Sequence, residues 1–133
     1  MNRRRAAIIV VSLLATFLVV RASLSMSPDS DFNVAGYNVH HLFTGLVLIV
    51  IGGIPLALFP GSSRILDAMA VVFGAGLSLA LDEWVYLIAT DGTNASYLLP
   101  VSLKGGALMI VLAAGYVAIL YIVSKNKQPP SNP

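Results

Sequence analysis

Five ionisable side chains interrupt long apolar segments of this sequence, and their types could support chemistry. They are two adjacent histidines, two adjacent carboxylates and one lysine: His40, His41, Asp82, Glu83 and Lys104. Ionisable groups within apolar segments of this length are expensive to keep and often indicate function. Imidazole and carboxylate groups serve as ligands for zinc, iron or manganese, as proton relays, or as partners in ion pairs.

The segments that hold these residues are long enough to cross a membrane. The hydrocarbon core of a bilayer needs about 20 helical residues. Three apolar segments meet that length, at 38–59, 65–89 and 97–123. A shorter first segment, 6–24, meets it if the head group of Arg21 extends outward to the membrane surface.

The composition indicates the same class of protein. The 133 residues are 57% hydrophobic and 11% charged, with a mean hydropathy of +0.85, which leaves too few polar side chains to cover a water-soluble globule. We therefore expect an all-α, up-down bundle of four transmembrane helices over 1–124 and a disordered tail at 125–133. The basic residues form no continuous face, which argues against nucleic acid as a partner, and the absence of cysteine excludes thiolate metal sites.

The first segment has a second interpretation as a cleavable signal peptide. Three arginines at 3–5 precede the apolar core at 6–20, and small residues at positions 20 and 22 suit a processing site. We favour the retained helix, because Arg21 lies directly beside that site and three remaining helices would make a thin bundle.

The basic residues predict the orientation. With both termini in the cytoplasm, most lysines and arginines fall on the inner side, as the positive-inside rule requires: Arg3, Arg4, Arg5, Arg64, Lys125 and Lys127. The external loops then carry Asp29, Asp31 and Asp91. Near the outer boundary, Trp84, Tyr86 and Tyr97 are expected to anchor the helices at the membrane surface.

In this topology all five ionisable residues lie at one depth, within about 5 to 12 Å of the outer boundary. Asp82 continues a ridge of small residues formed by Gly74 and Ser78, so it is expected to face the bundle. His41 shares a helical face with Gly45 and is the predicted inward imidazole, whereas His40 is expected at the interface.

Three hypotheses follow for this polar cluster. The first is structural: a carboxylate pairs with Lys104, a histidine donates to the other carboxylate, and the helices are held together. The second is a metal site in which His41, Asp82 and Glu83 bind zinc, iron or manganese, with or without metal-dependent catalysis. The third is proton or ion translocation, which the near absence of ionisable residues in the inner half of the membrane disfavours.

No catalytic motif decides between them. The sequence has no Gly-x-Ser-x-Gly elbow, no glycine-rich phosphate loop and no HExxH helix, so whether the chain is an enzyme stays open. Its ridges of glycine and alanine suit a homo-oligomer or a membrane-protein partner as well as packing within one chain.

A short pattern in the two middle helices carries a resemblance. His40-His41 followed by Gly45, and Gly74-Ala75-Gly76-Leu77 leading to Asp82-Glu83, resemble a group of small uncharacterised prokaryotic four-helix membrane proteins. The resemblance implies a multi-pass protein of a prokaryotic cell membrane with a His-His pair on one helix and an Asp-Glu pair on the next. It implies no activity, since none is established for that group.

Overall fold

The computed structural model describes residues 2–26, 33–34, 37–38 and 40–126. Four long helices make up most of the chain: α1 (Arg3–Met26), α2 (His41–Leu58), α3 (Arg64–Ala89) and α5 (Pro100–Asn126), with a single-turn helix α4 (Asn94–Tyr97) before the last. Each long helix is long and apolar enough to cross a membrane, which confirms the prediction of a four-helix membrane bundle.

The connections contain one unpredicted element. Strand β1 (Asn33–Val34) pairs antiparallel with β2 (Tyr37–Asn38) in the link between α1 and α2. Asp29 and Asp31, which were predicted to lie in an external loop, fall outside the described residues.

The predicted fourth helix differs from the structure at both ends. Where one helix was expected over 97–123, the chain forms α4, then leaves the helical path at Leu98 and Leu99, and starts α5 at Pro100. Proline suits this position because a backbone N–H in the first turn of a helix has no partner within the helix, so its absence in proline costs little. At the other end α5 continues to Asn126, so the first two residues of the predicted tail are helical, and 127–133 lie outside the described residues.

Helix α3 is the centre of the bundle. It has buried residues along its whole length, from Leu66 to Tyr86, whereas only Ala6 and Leu13 are buried in α1 and only two glycines in α2. α1 and α5 pack on one side of α3 and also touch each other, while α2 makes its extensive contacts with α3 alone. A side chain on α3 can therefore face either of two separate interfaces.

Glycines allow α2 to approach α3 closely. A Cβ at Gly45 would lie 2.7 Å from the backbone nitrogen of Ala80, and one at Gly52 would lie 2.6 Å from the carbonyl oxygen of Met69. Gly45 thus meets the outer part of α3 and Gly52 its inner part, so the two helices run antiparallel. This is the close backbone packing that small residues give to membrane helices.

Contacts at the ends of the helices define the up-down order. Arg4 reaches Asp67 and Arg21 reaches Asp82, so α1 and α3 run parallel. Arg3 lies over the ring of Tyr121, so α5 runs antiparallel to α1. The start of α1 and the end of α5 therefore lie on the same side of the bundle. The described basic residues at that side are Arg3, Arg4, Arg5, Arg64 and Lys125, and the positive-inside rule assigns it to the cytoplasm.

Candidate functional site

Asp82 and Glu83 are adjacent on α3 and face its two different interfaces. Successive residues of a helix point about 100° apart. Asp82 points towards α1, α4 and α5, and Glu83 points towards α2. Both side chains are about 4% exposed. The two carboxylates therefore belong to two polar networks rather than to one shared pocket.

The first network is built on an ion pair between Arg21 and Asp82. Nε and Nη2 of Arg21 lie 2.8 and 2.6 Å from Oδ1 of Asp82. The hydroxyl of Tyr97 donates to Oδ2 of the same carboxylate. Both oxygens of Asp82 are thus occupied by donors of this chain, in the way a buried carboxylate requires.

The remaining donors of Arg21 are also used. Nη1 donates to the carbonyl oxygen of Tyr97, and Nη2 lies 3.1 Å from both the carbonyl oxygen and the hydroxyl of Ser102. The guanidinium also stacks 4.1 Å from the ring centroid of Tyr97, a favourable cation–π geometry. One arginine therefore connects α1 to α3, to the C-terminal end of α4 and to the first turn of α5.

Glycines bring α5 close to this network. A Cβ at Gly106 would overlap Oδ1 of Asp82, and a Cβ at Gly105 would overlap the side chain of Val85. Only glycine leaves room here for the ion pair beneath the backbone of α5.

The second network is a cap on helix α2 supplied by Glu83. Oε2 of Glu83 accepts the backbone N–H of Leu42 at 2.6 Å, and Nδ1 of His41 donates to Oε1 at 3.2 Å. The first N–H groups of a helix have no partner within the helix, and that end carries a partial positive charge. Glu83 therefore satisfies a free donor of α2 and places a negative charge where the helix dipole favours it.

Both histidines lie beside Glu83. His40 forms the N-cap of α2, and its Nδ1 is 3.9 Å from Oε1 of Glu83, which is an ion-pair distance if the imidazole is protonated. The prediction gave only His41 this position and placed His40 at the interface. The side chains of His40 and His41 are 27% and 34% exposed, so each is open to the outside at one edge.

Two tyrosines link the networks and are not surface anchors. Tyr86 and Tyr97 are 2% and 6% exposed, and their rings meet edge to face with centroids 5.1 Å apart. Tyr86 also lies beside His40, with ring centroids 6.2 Å apart. The expected anchoring role is therefore wrong for these two residues, whereas Trp84, at 50% exposed, faces outward as predicted.

The turn before α4 positions Tyr97. The hydroxyl of Tyr86 donates to the carbonyl oxygen of Thr93, and Asp91 accepts the N–H and the hydroxyl of Thr93. The neighbouring Ser96 hydroxyl and these Thr93 donors hold the pKa of Asp91 below its ordinary value. Burial, together with the adjacent negative charge of Asp82, raises the pKa of Tyr97, so its phenol stays neutral and can donate.

Lys104 does not join the cluster. Its side chain is exposed on α5, and within the described ranges no carboxylate lies at ion-pair distance from it. The cation that pairs with Asp82 is Arg21, which the sequence analysis expected to extend to the membrane surface. The physical reason is geometric: the last turns of α1 face α3 directly, and the planar guanidinium can bind a carboxylate and two carbonyl oxygens at once.

The expected metal ligands are not brought together. Among the residues that the structure describes, no group of three or more His, Asp or Glu side chains is placed to hold a metal ion. Asp82 lies on the side of α3 away from the histidines, and both of its oxygens are engaged by Arg21 and Tyr97. The arrangement gives no support to the three-ligand hypothesis.

Two further arginines and one carboxylate form a second group of ion pairs at the inner end of α1 and α3. Arg4 is 2.9 Å from Asp67 and Arg5 is 3.8 Å from it, and Arg5 also donates to the carbonyl oxygen of Gly61. Ion pairs thus join α1 to α3 near both membrane surfaces.

Comparisons of this chain with protein-family models, curated proteins and solved structures found no match. The resemblance to small prokaryotic four-helix membrane proteins stays a prediction.

Proposed function

We propose that this membrane protein acts as a structural or interaction scaffold within the bilayer. The observation that carries the proposal is that the ionisable groups inside the outer half of the bundle are paired with one another, Arg21 with Asp82 and His41 with Glu83, whereas Lys104 is exposed. In the described part of the chain, the buried side-chain atoms without a hydrogen-bond partner are Arg5 Nε, Asp67 Oδ1 and Ser78 Oγ, and none belongs to the Asp82 or Glu83 network. Groups that are paired in this way hold helices together.

The path through the bundle supports a scaffold over a transporter. On α3, none of the residues between Asp67 and Asp82 is ionisable, and none is in 46–58 on α2. In 108–123 on α5 the ionisable side chains are those of Tyr116 and Tyr121. A proton or ion would therefore meet no histidine or carboxylate on these helices between Asp67 and the outer networks.

The first helix belongs to this scaffold. Cleavage at the site suggested by a signal peptide would remove Arg21 and leave Asp82 buried without a cation, which is strongly destabilising. We therefore infer that α1 is retained in the mature protein.

The outer faces of the bundle are the surfaces that a scaffold would offer. Helix α2 packs against α3 alone and exposes large apolar side chains on its other side, among them Val47, Val50 and Ile54. Lipid chains, a second copy or another membrane protein can pack on such a face.

The test compares the unfolding temperatures of three variants in lipid nanodiscs. Asp82→Asn, Tyr97→Phe and Glu83→Gln should each unfold at a lower temperature than the wild type, because each removes a contact that holds helices together. Residues kept for catalysis or transport commonly reduce stability, so their removal tends to raise the unfolding temperature. A rise for any of the three variants would contradict the scaffold.

Metal analysis supplies an independent control. The scaffold predicts the same sub-stoichiometric metal content in the wild type and in His41→Ala. One metal ion per chain in the wild type that is lost in His41→Ala would instead establish the metal-binding alternative.

A further inference from the structure

Two apolar grooves flank the cytoplasmic half of α1. The larger, about 620 Å³, runs between α1 and α3 and is lined by Arg4 at one end and by Ala7, Val11, Ala15 and Val71 along its length. The second, about 420 Å³, runs between α1 and α5, with Arg3 and Tyr121 at its mouth. Small side chains on α1 create both grooves, and Ala7 lines both of them.

The larger groove has the length of one lipid leaflet. It extends along α1 from Arg4 to Thr16, and twelve residues of helix rise about 18 Å. Half of a typical hydrocarbon core is about 15 Å thick. A groove that begins at the level of the head groups and ends near the middle of the bilayer fits an acyl chain of the inner leaflet.

The charge at the mouth of the grooves selects the head group. Among the described residues Arg4 and Arg5 share one carboxylate, that of Asp67, so these three side chains carry a net positive charge. The side chain of Arg4 is 69% exposed, and its contact with Asp67 uses only part of the five N–H groups of a guanidinium. Planar guanidinium groups bind phosphate oxygens through paired hydrogen bonds.

From these observations we propose that the inner end of α1 is a binding site for an anionic glycerophospholipid of the cytoplasmic leaflet. Arg4 holds the phosphate and the negatively charged head group, and an acyl chain lies in the groove between α1 and α3. The site is separate from the outer networks and does not depend on the role proposed for them. The orientation of the chain places it where anionic lipids and juxtamembrane arginines attract each other.

Native mass spectrometry of the full-length protein tests this site. The protein is released from detergent after incubation with equal amounts of phosphatidylglycerol and phosphatidylcholine, and the ratio of the two bound lipids is measured. The wild type should retain phosphatidylglycerol preferentially. Arg4→Gln should lower that ratio roughly fivefold, the effect expected for one arginine near an anionic head group, and Arg64→Gln, at the same end but outside the groove, should leave it unchanged.

A second pair of variants tests the groove without changing any charge. Ala15→Phe fills the groove between α1 and α3 and should reduce the retention of both lipids, whereas Ala22→Phe, on α1 beyond the groove, should not. Equal losses in Arg4→Gln and Arg64→Gln would show diffuse attraction to the inner surface and overturn the proposal. Unchanged lipid retention in Ala15→Phe would overturn it as well.

Discussion

Arg21 on α1 and Asp82 on α3 form a buried ion pair in which two nitrogens of the guanidinium lie 2.8 and 2.6 Å from one carboxylate oxygen. The residues are separated by 61 positions in sequence, so the pair joins two spanning helices that are not consecutive. Within hydrocarbon neither charge has water as an alternative partner. Loss of either residue leaves the other as an uncompensated buried charge, which is far more damaging than loss of an exposed ion pair.

Replacement of the paired arginine should destabilise the protein much more than replacement of the lysine in the outer half. We expect Arg21→Gln to lower the free energy of unfolding by about 3 kcal/mol, because Asp82 then lacks its cation. Lys104→Gln should change it by less than about 0.5 kcal/mol, since Lys104 is exposed on α5. Denaturant unfolding in nanodiscs measures both. A larger loss for Lys104→Gln would show that the cation of the outer cluster has been assigned wrongly.

The close approach of α2 and α3 predicts opposite effects for two glycine substitutions. Gly45→Ala places a methyl group 2.7 Å from backbone atoms of α3 and should destabilise the protein by about 1–3 kcal/mol through overpacking. Gly115→Ala, with nothing within 4 Å of the added methyl group, should leave stability unchanged or raise it by up to about 1 kcal/mol. Thermal unfolding compares the two. A neutral Gly45→Ala would contradict the packing of α2 against α3.

The cap that Glu83 provides should be visible as local protection of α2. Glu83→Ala removes the acceptor of the Leu42 N–H, and a lost cap costs about 1 kcal/mol. Hydrogen exchange should increase in the peptide that begins at His41, while the inner half of α2 keeps its protection. Glu83→Gln, which retains an oxygen acceptor, should show a smaller increase. If both variants exchange as the wild type does, Glu83 does not cap α2.

Tyr97 should resist ionisation at alkaline pH. Its pKa is raised by burial and by Asp82, so the folded protein keeps the phenol proton to higher pH than the unfolded chain. The stability linked to this proton is complete below the ordinary tyrosine pKa of about 10 and declines as the pH rises beyond it. Tyrosinate absorbance of the folded wild type and of Tyr97→Phe should therefore coincide near that pH. One additional tyrosine titrating there in the wild type would contradict the burial of Tyr97.

Much of the fold could be predicted from the sequence because bilayer thickness sets the length of a spanning helix. The predicted span at 65–89 matches α3 to within one residue, and Ser63 caps the start of α3 by accepting the Leu66 N–H. The break at Leu98 and Leu99 was not predicted, because both residues are apolar and continue the hydrophobic pattern. It arises from Thr93 capping the separate turn of α4 and from Pro100 starting α5.

The candidate site was predicted only in part. The positions of Asp82 and Glu83 follow from the ridge of small residues and from the 100° step between neighbours in a helix. The identity of the cation did not follow, because Arg21 and Lys104 both lie a few residues from a helix end and a long side chain can reach inward or outward. The role of Tyr97 depends on the turn of α4, which no pattern in the sequence indicated. Tyr86 and Tyr97 looked like surface anchors because sequence gives depth in the membrane and not the direction of a ring.

A double-mutant cycle on Arg21 and Asp82 in lipid nanodiscs tests most directly whether the outer cluster holds the helices together. The free energies of unfolding are measured for the wild type, Arg21→Gln, Asp82→Asn and the double variant. We expect each single variant to be destabilised and the double variant to lose less than the sum of the two, with a coupling energy of at least about 1 kcal/mol. Additive losses, with no coupling between the two residues, would contradict the account.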